Sequence, residues 1–413
     1  INSKGTKLNK YQIFAATWRK QVTISNHEII KPIVEKYEKL IQQGFMVEHY
    51  SREDMFKEGM EFTLFEYLFG LGKYLSKRFP TLFGKYDIHK ADSTDSVGFN
   101  LTTICLNLAI KKMANLQEKI TQHNLDEFER AMVDAIEFVD ESLYSLLSFK
   151  AHRKNKKDKG DHIHHTEMQI LSLIATAFHL KYDETLSVRE SWKDNQKILR
   201  TNIPMYYLYD VLREDWRGSG DTKLKDMVLR PNLEETSRLL QPISRVQWEN
   251  ILNEWFETQL NRSETKRVVV QDKEILFMKY IYKTILTHEE SHSSYQIDHV
   301  YAVNRLKQAA SAGTGLPISC VANLAMIPES LNKQKGDKTF PEFFDQKVKK
   351  KEWTTQMVQT QRETIKHVIF SDPVDVDIPK VAKKDTITRE WYVNQLKNRF
   401  KLIKDIFFER VVQ

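Results

Sequence analysis

Turn formers are scarce in this chain. Thirteen glycines and ten prolines among 413 residues are roughly half the usual combined share of about 12 %. That shortage disfavours a many-stranded sandwich and favours long helices. Only two cysteines occur, Cys105 and Cys320, too few for a disulfide framework, so a reducing, cytoplasmic setting is expected. No apolar run approaches the roughly 20 residues of a membrane helix, and no signal-peptide pattern opens the sequence, so no membrane partner is expected. A Gly-x-x-x-x-Gly-Lys phosphate loop is also missing, which argues against nucleotide chemistry within these residues. What is present is 41 % hydrophobic, 11 % aromatic and 29 % charged, with a formal net charge of +7, too apolar for a disordered chain. At about 150 residues per domain, the length implies two to three domains. The first residue is Ile1 rather than Met, and the chain is expected to begin inside a longer protein.

Amphipathic helices dominate the pattern. Between Asp126 and Phe149, Phe128, Met132, Ala135, Val139, Leu143 and Leu146 recur at steps of three and four, lining one face. Ser244 with Gln247 forms a capping box opening a helix whose apolar face is Trp248, Ile251, Leu252, Trp255, Phe256 and Leu260. A C-terminal helix carries Val393, Leu396, Phe400, Ile403 and Phe407, and an earlier one carries Ile33, Val34, Tyr37 and Leu40, with Pro32 near its first turn and Gly44 past its end. Breaks fall at the basic run His152–Gly160, at Arg217–Asp221 and at Asn261–Lys266. They suggest helical domains over 1–150 and 151–265, then a third domain over 266–413. No internal repeat is visible.

After Arg267 the character changes. Ile275–Leu286 reads as an apolar helix, Tyr295–Tyr301 and Ser319–Ile327 as short strands, and Ser311–Gly315 as a loop between them. Ser330 is positioned to cap a short helix through Leu331, Asn332 and Lys335. This strand, loop, strand and helix carry a coherent set of chemical groups. His299 is the natural neutral base for deprotonating water, because imidazole alone titrates near neutrality without perturbation. Asp298 and the amide oxygen of Asn332 are suitable oxygen ligands for a hard cation such as Mg²⁺, with Mn²⁺ as a substitute. Asn323 is placed to hold the segment bearing His299 through amide hydrogen bonds. Lys335, three residues after Asn332 on one helix face, is placed to meet a phosphate oxygen. Neighbours on a regular strand face opposite ways, so Asp298 and His299 serve one phosphate only if the strand ends or bulges there. A second Asp-His pair, Asp161-His162, is followed by His164 and His165 but by no comparable strand and helix. It is expected to be a polar loop capping the helix Met168–Leu180, not a metal site.

Asp298-His299, then Asn323-Leu324, then Asn332 nine residues after Asn323, then Lys335-Gly336 resembles the pattern of the ββα-metal, or HNH, nucleases. The segments IDHVYA and VANLAMIPESLNKQKGDKTF look like the C-terminal nuclease domain of GmrSD-type modification-dependent restriction proteins, whose relatives include the phosphorothioate-sensing SspE-like nucleases. Ala322 stands where that pattern commonly has Gly, and the loop expected over Val303–Pro317 is this chain's own. Ile1–Leu8 (INSKGTKL) is similar to an Asn-x-x-Gly-Thr-x-Leu element that in those proteins comes after a nucleotide-hydrolysing domain with an Asp-Gly-Gln-Gln-Arg stretch, which is not found here. The likeness covers about 50 residues near the C-terminus and about 10 at the start. It implies a C-terminal portion, cooperating with an upstream nucleotide-hydrolysing domain or partner subunit.

Together these features imply a mainly α protein, with multi-helix domains followed by a small ββα-metal module and a C-terminal helix. The expected function is a metal-dependent DNA endonuclease or nickase of a bacterial anti-phage restriction system, acting on phage or modified DNA. Leu331–Lys351 carries seven lysines against three acidic residues, a surface that suits phosphates, and Arg153–Lys159 is similarly basic. No recognition helix for bases stands out. The alternatives are a helical partner-binding scaffold or an NTP-regulated sensor with an inactive nuclease module, or an RNase, since the phosphodiester chemistry is shared.

Overall fold

A computed structural model describes residues 2–3, 6–7, 10–47, 50–84, 96–120, 125–147, 151–153, 165–285, 295–311, 313–336, 338–378 and 386–412. The chain is predominantly α-helical, and no helix among these residues is long and apolar enough to cross a membrane. It forms two compact units rather than three contiguous ones. The first comprises Ile1–Tyr144, Gly160–Asp210 and Glu214–Pro242, and the second Ser145–Lys159, Val211–Arg213 and Ile243–Gln413. The break at Asn261–Lys266 is therefore no boundary, and the Trp-bearing helix before it shares a unit with the C-terminal stretch.

The first unit is built on helices α1 (His27–Gln42), α2 (Leu64–Arg78), α3 (Ser96–Cys105) and α5 (Glu167–Lys181) and on all but the last three residues of α4 (Leu125–Leu147) and α6 (Trp192–Arg213), with a short antiparallel pair, β1 (Gln21–Thr23) and β2 (Glu61–Thr63). The period-3.6 face of α4 is buried as expected: Phe128, Met132, Ala135, Val139, Leu143 and Leu146 are all in the core. Helix α1 begins at His27, capped by the Asn26 side chain, so Pro32 lies past the first turn. Helices α2 and α3 approach so closely that a β-carbon on Gly98 would overlap the Leu68 carbonyl, a contact that only glycine permits.

Aromatic packing organises the second unit. Its elements in chain order are β3 (Ala151–Arg153), α7 (Arg245–Leu260), α8 (Asp272–Ile285), β4 (Tyr295–His299), α9 (Val303–Ala309), β5 (Leu324–Pro328), α10 (Glu329–Lys335), α11 (Phe340–Lys349), α12 (Thr355–Ile369) and α13 (Arg389–Arg410). The Ser244–Gln247 capping box opens α7. Phe256 of α7 stacks on Phe400 of α13 at 3.8 Å, Trp248 meets Phe407 edge-on at 5.0 Å, and Trp255 meets Phe277 of α8 at 5.1 Å. These rings are core rather than stacking platforms for bases.

Three details differ from the sequence expectation. Val303–Ala309 is helix, not loop. The second strand starts only at Leu324, because Val321–Asn323 forms one turn of 3-10 helix, so Asn323 precedes the strand instead of lying on it. Ser330 is not the cap of α10, which starts at Glu329 directly after Pro328 and has no side-chain cap. Helix α10 ends at Gly336 with φ of 58°, the left-handed position that glycine occupies without strain.

Candidate active site

Strands β4 and β5 pair antiparallel with Asp298 opposite Ala325 and His299 opposite Leu324. Strand β3 joins the other edge of β4 in parallel, Ala151 opposite Tyr295. Pairing is regular up to His299, without a bulge, and the strand stops there. Side-chain alternation therefore places Asp298 with Gln296 on one face and His299 on the other, at the last residue of the strand. Asp298 and His299 are both half-buried, and the His299 Nε2 lies out of contact with solvent.

Helix α10 covers the Gln296–Asp298 face. Asn332 and Lys335, one turn apart, both reach back to β4. Asn332 Nδ2 donates to Gln296 Oε1 at 2.9 Å. That bond orients the amide so that Oδ1, buried, accepts no hydrogen bond from any described residue. Lys335, its side chain 5 % exposed, lies 3.1 Å from Asp298 Oδ2 in an ion pair. The alignment is not that of a hydrogen bond, since the same oxygen accepts none from the described residues. The ammonium also donates to the Gly336 and Lys338 carbonyls, both at 3.4 Å. Lys335 is thus engaged with the carboxylate rather than standing free for a phosphate.

Asn323 is spent on backbone. Its Oδ1 accepts from Tyr301 N–H at 2.7 Å, its Nδ2 donates to Tyr301 and Ile318 carbonyls at 3.3 and 2.9 Å, and its own carbonyl accepts from Val300 N–H at 2.8 Å. Its side chain and carbonyl together clasp the two residues after His299.

The clasp is itself anchored from α7, the segment after it, and α13. Gln259 of α7 accepts from Val321 N–H at 2.7 Å, Glu264 accepts from Ser319 N–H at 2.6 Å, and Arg262 donates to Ser319 Oγ at 3.0 Å. Arg262 also pairs at 2.8 Å with Glu274, which has no exposed side-chain surface and whose pKa is raised by burial despite that partner. Arg399 of α13, buried, donates to the carbonyls of Ala322, Leu324 (2.9 Å) and Ile369 (2.6 and 2.9 Å). Burial lowers its pKa to about 10, because carbonyl oxygens solvate a guanidinium less well than water or a carboxylate. Gln296, Gln259, Glu264 and Arg399 escaped the sequence reading. Gln296 alone carried a local signal, two residues before Asp298 and hence on its face.

Among the described residues no group of three His, Cys, Asp or Glu side chains is arranged to hold a metal ion. The candidate donors are one carboxylate and one amide oxygen. Mg²⁺ is commonly held by one or two carboxylates, with water and substrate phosphate completing the shell. A buried, oriented amide oxygen lacking a donor fits that role, since such groups call for a ligand. Asp161–His164 and Lys154–Gly160 lie outside the described residues. Of the lysines between Leu331 and Lys351, Lys333 and Lys347 pair with Glu329 and Glu352 at 2.5 Å, and Lys349, Lys350 and Lys351 are exposed at the end of α11. Comparison of the chain with protein-family models, curated proteins and solved structures gives no match.

Proposed function

We propose that the second unit is a metal-dependent phosphodiester hydrolase, an HNH-type DNA endonuclease or nickase of a bacterial restriction-type defence system. One observation carries this reading: Asn332 and Asp298, 34 positions apart in the sequence, meet one face of β4, while the strand ends on an imidazole whose two succeeding residues are clasped by Asn323. DNA as substrate and the defence role rest on the family resemblance of IDHVYA and VANLAMIPESLNKQKGDKTF.

In this mechanism His299 takes a proton from water as the water oxygen attacks phosphorus, and the bond to the leaving oxygen breaks. Asn323 holds Val300 and Tyr301, so the imidazole stays fixed at the end of its strand. Asp298 and Asn332 supply oxygen ligands, with Gln296 setting the amide of Asn332. Bound Mg²⁺ or Mn²⁺ would offset charge on the phosphate and the departing oxygen. Lys335 is the cation that faces the Asp298 carboxylate before metal binds.

The test is relaxation of supercoiled plasmid by the full chain. Mg²⁺ or Mn²⁺ should support nicking, EDTA should abolish it, and His299→Ala should lower the rate by about 10²-fold or more while DNA binding persists. Equal activity in wild type and His299→Ala would exclude His299 as the base. DNA binding with no metal-dependent cleavage in either would favour the scaffold reading.

A further inference from the structure

We infer that Lys335 is a tethered counter-cation that competes with the divalent ion for Asp298, so that metal enters only as the ammonium gives up the carboxylate. The inference rests on the reading of Asp298 and Asn332 as metal ligands and adds a control on how readily they load.

The ion pair has the features of a replaceable contact. Lys335 Nζ lies 3.1 Å from Asp298 Oδ2 with both side chains largely shielded, 5 % and 14 % exposed. In that setting a carboxylate without a cation is strongly disfavoured, so the metal-free site needs a positive charge from somewhere. Lys335 supplies it from within the chain. Yet Asp298 Oδ2 accepts no aligned hydrogen bond from the described residues, so the pair is held by charge more than by direction. A lysine ammonium is a point charge on a flexible stem, and this one already touches two other acceptors, the Gly336 and Lys338 carbonyls at 3.4 Å. It can therefore withdraw from Asp298 without becoming an unpartnered buried charge.

Asn332 makes the asymmetry plain. Its Oδ1 lies buried one helical turn from Lys335 and accepts nothing from the described residues, so the ammonium serves only one of the two proposed ligands. A divalent ion would serve both and bring twice the charge. The two cations repel when both are near Asp298, and occupancy by one reduces affinity for the other. Once displaced, Lys335 keeps its contacts with the Gly336 and Lys338 carbonyls.

A permanent structural ion pair would behave in the opposite way. Deleting the lysine would then loosen α10 and weaken metal binding. A competitor, when deleted, leaves a less stable metal-free protein that binds metal more tightly.

The experiment titrates Mn²⁺ alone into the full chain, reading free Mn²⁺ by EPR and the melting temperature with and without the ion. Lys335→Gln should lower the Mn²⁺ Kd by about tenfold or more. It should also melt below wild type without metal and gain more from Mn²⁺. Lys335→Arg, which keeps the charge, should stay near the wild-type Kd. An equal or weaker Mn²⁺ affinity in Lys335→Gln, with helical content intact, would overturn the competition. Lys335→Met repeats the measurement should glutamine prevent folding. Binding by wild type together with nicking that depends on His299 would then leave the nuclease reading standing. Absence of Mn²⁺ binding in wild type and variants alike would remove both the competition and the metal site.

Discussion

His165 and His299 share a side chain and little else. Nε2 of His165 faces the Leu82 carbonyl at 2.7 Å, which only accepts, so that nitrogen carries the proton and Nδ1 accepts from the Tyr207 hydroxyl at 2.8 Å. Burial lowers the pKa of this imidazole from 6.5 to about 4. The sign comes from linkage: between those values the unfolded chain binds a proton that the folded chain does not. The stabilising contribution is therefore present above about pH 6.5 and is lost as pH falls toward 4. Chemical denaturation of wild type and His165→Gln across that window should show the gap between their stabilities narrowing with acid. A constant gap would contradict a neutral buried imidazole. Of the His-rich loop expected to cap a helix, Asp161–His164 lie outside the described residues, His165 is half-buried against Tyr207, and Thr166 caps α5. A histidine's surroundings are set by residues 42 and 83 positions away, and no local pattern carries that information. Asp298, Asn323, Asn332 and Lys335 stood out in sequence because their spacings are short, and the structure brings Asn332 and Lys335 back to β4. The ion pair between Lys335 and Asp298 was not, since it depends on how α10 lies across β4.

The helices were read most accurately where one apolar face is buried. The faces of α4, α7 and α13 obey the 3.6-residue period almost position by position. Short elements fared worse. β3 is three residues long and pairs in parallel with a strand more than 140 positions away, so nothing nearby marks it. The 3-10 turn at Val321–Asn323 replaces the start of a predicted strand because Gln259 and Arg399 capture its backbone groups. That capture ties α13 to the segment leading into β5. Arg399→Met removes donors to three carbonyls and should cost about 3 kcal/mol or more. It should also slow plasmid nicking under conditions where helical content is unchanged, because Asn323 loses its support. Arg399→Lys should recover part of the nicking rate. Wild-type stability and nicking in Arg399→Met would show that the anchor is dispensable.

At the scale of the whole molecule, contiguous breaks in sequence misjudged the architecture. The second unit takes in Ser145–Lys159 and Val211–Arg213 as well as the C-terminal stretch, and such interleaving leaves no compositional edge. The mainly helical class, by contrast, was a direct consequence of few turn formers and strong helical periodicity. The formal charge of +7 and the exposed Lys349–Lys351 suit the proposed polyanionic substrate, and the proposed hydrolysis assigns distinct duties to two residues. Single-turnover cleavage of a DNA duplex, monitored as Mg²⁺ is raised, separates them. A lost base lowers the rate at every metal concentration, whereas a lost ligand weakens metal binding and is overcome by more metal. His299→Ala should stay slow by about 10²-fold or more at saturating Mg²⁺, and Asn332→Ala should climb back toward the wild-type rate. Recovery of His299→Ala by excess Mg²⁺, or full activity of both variants at low Mg²⁺, would contradict the assignment of base and ligand.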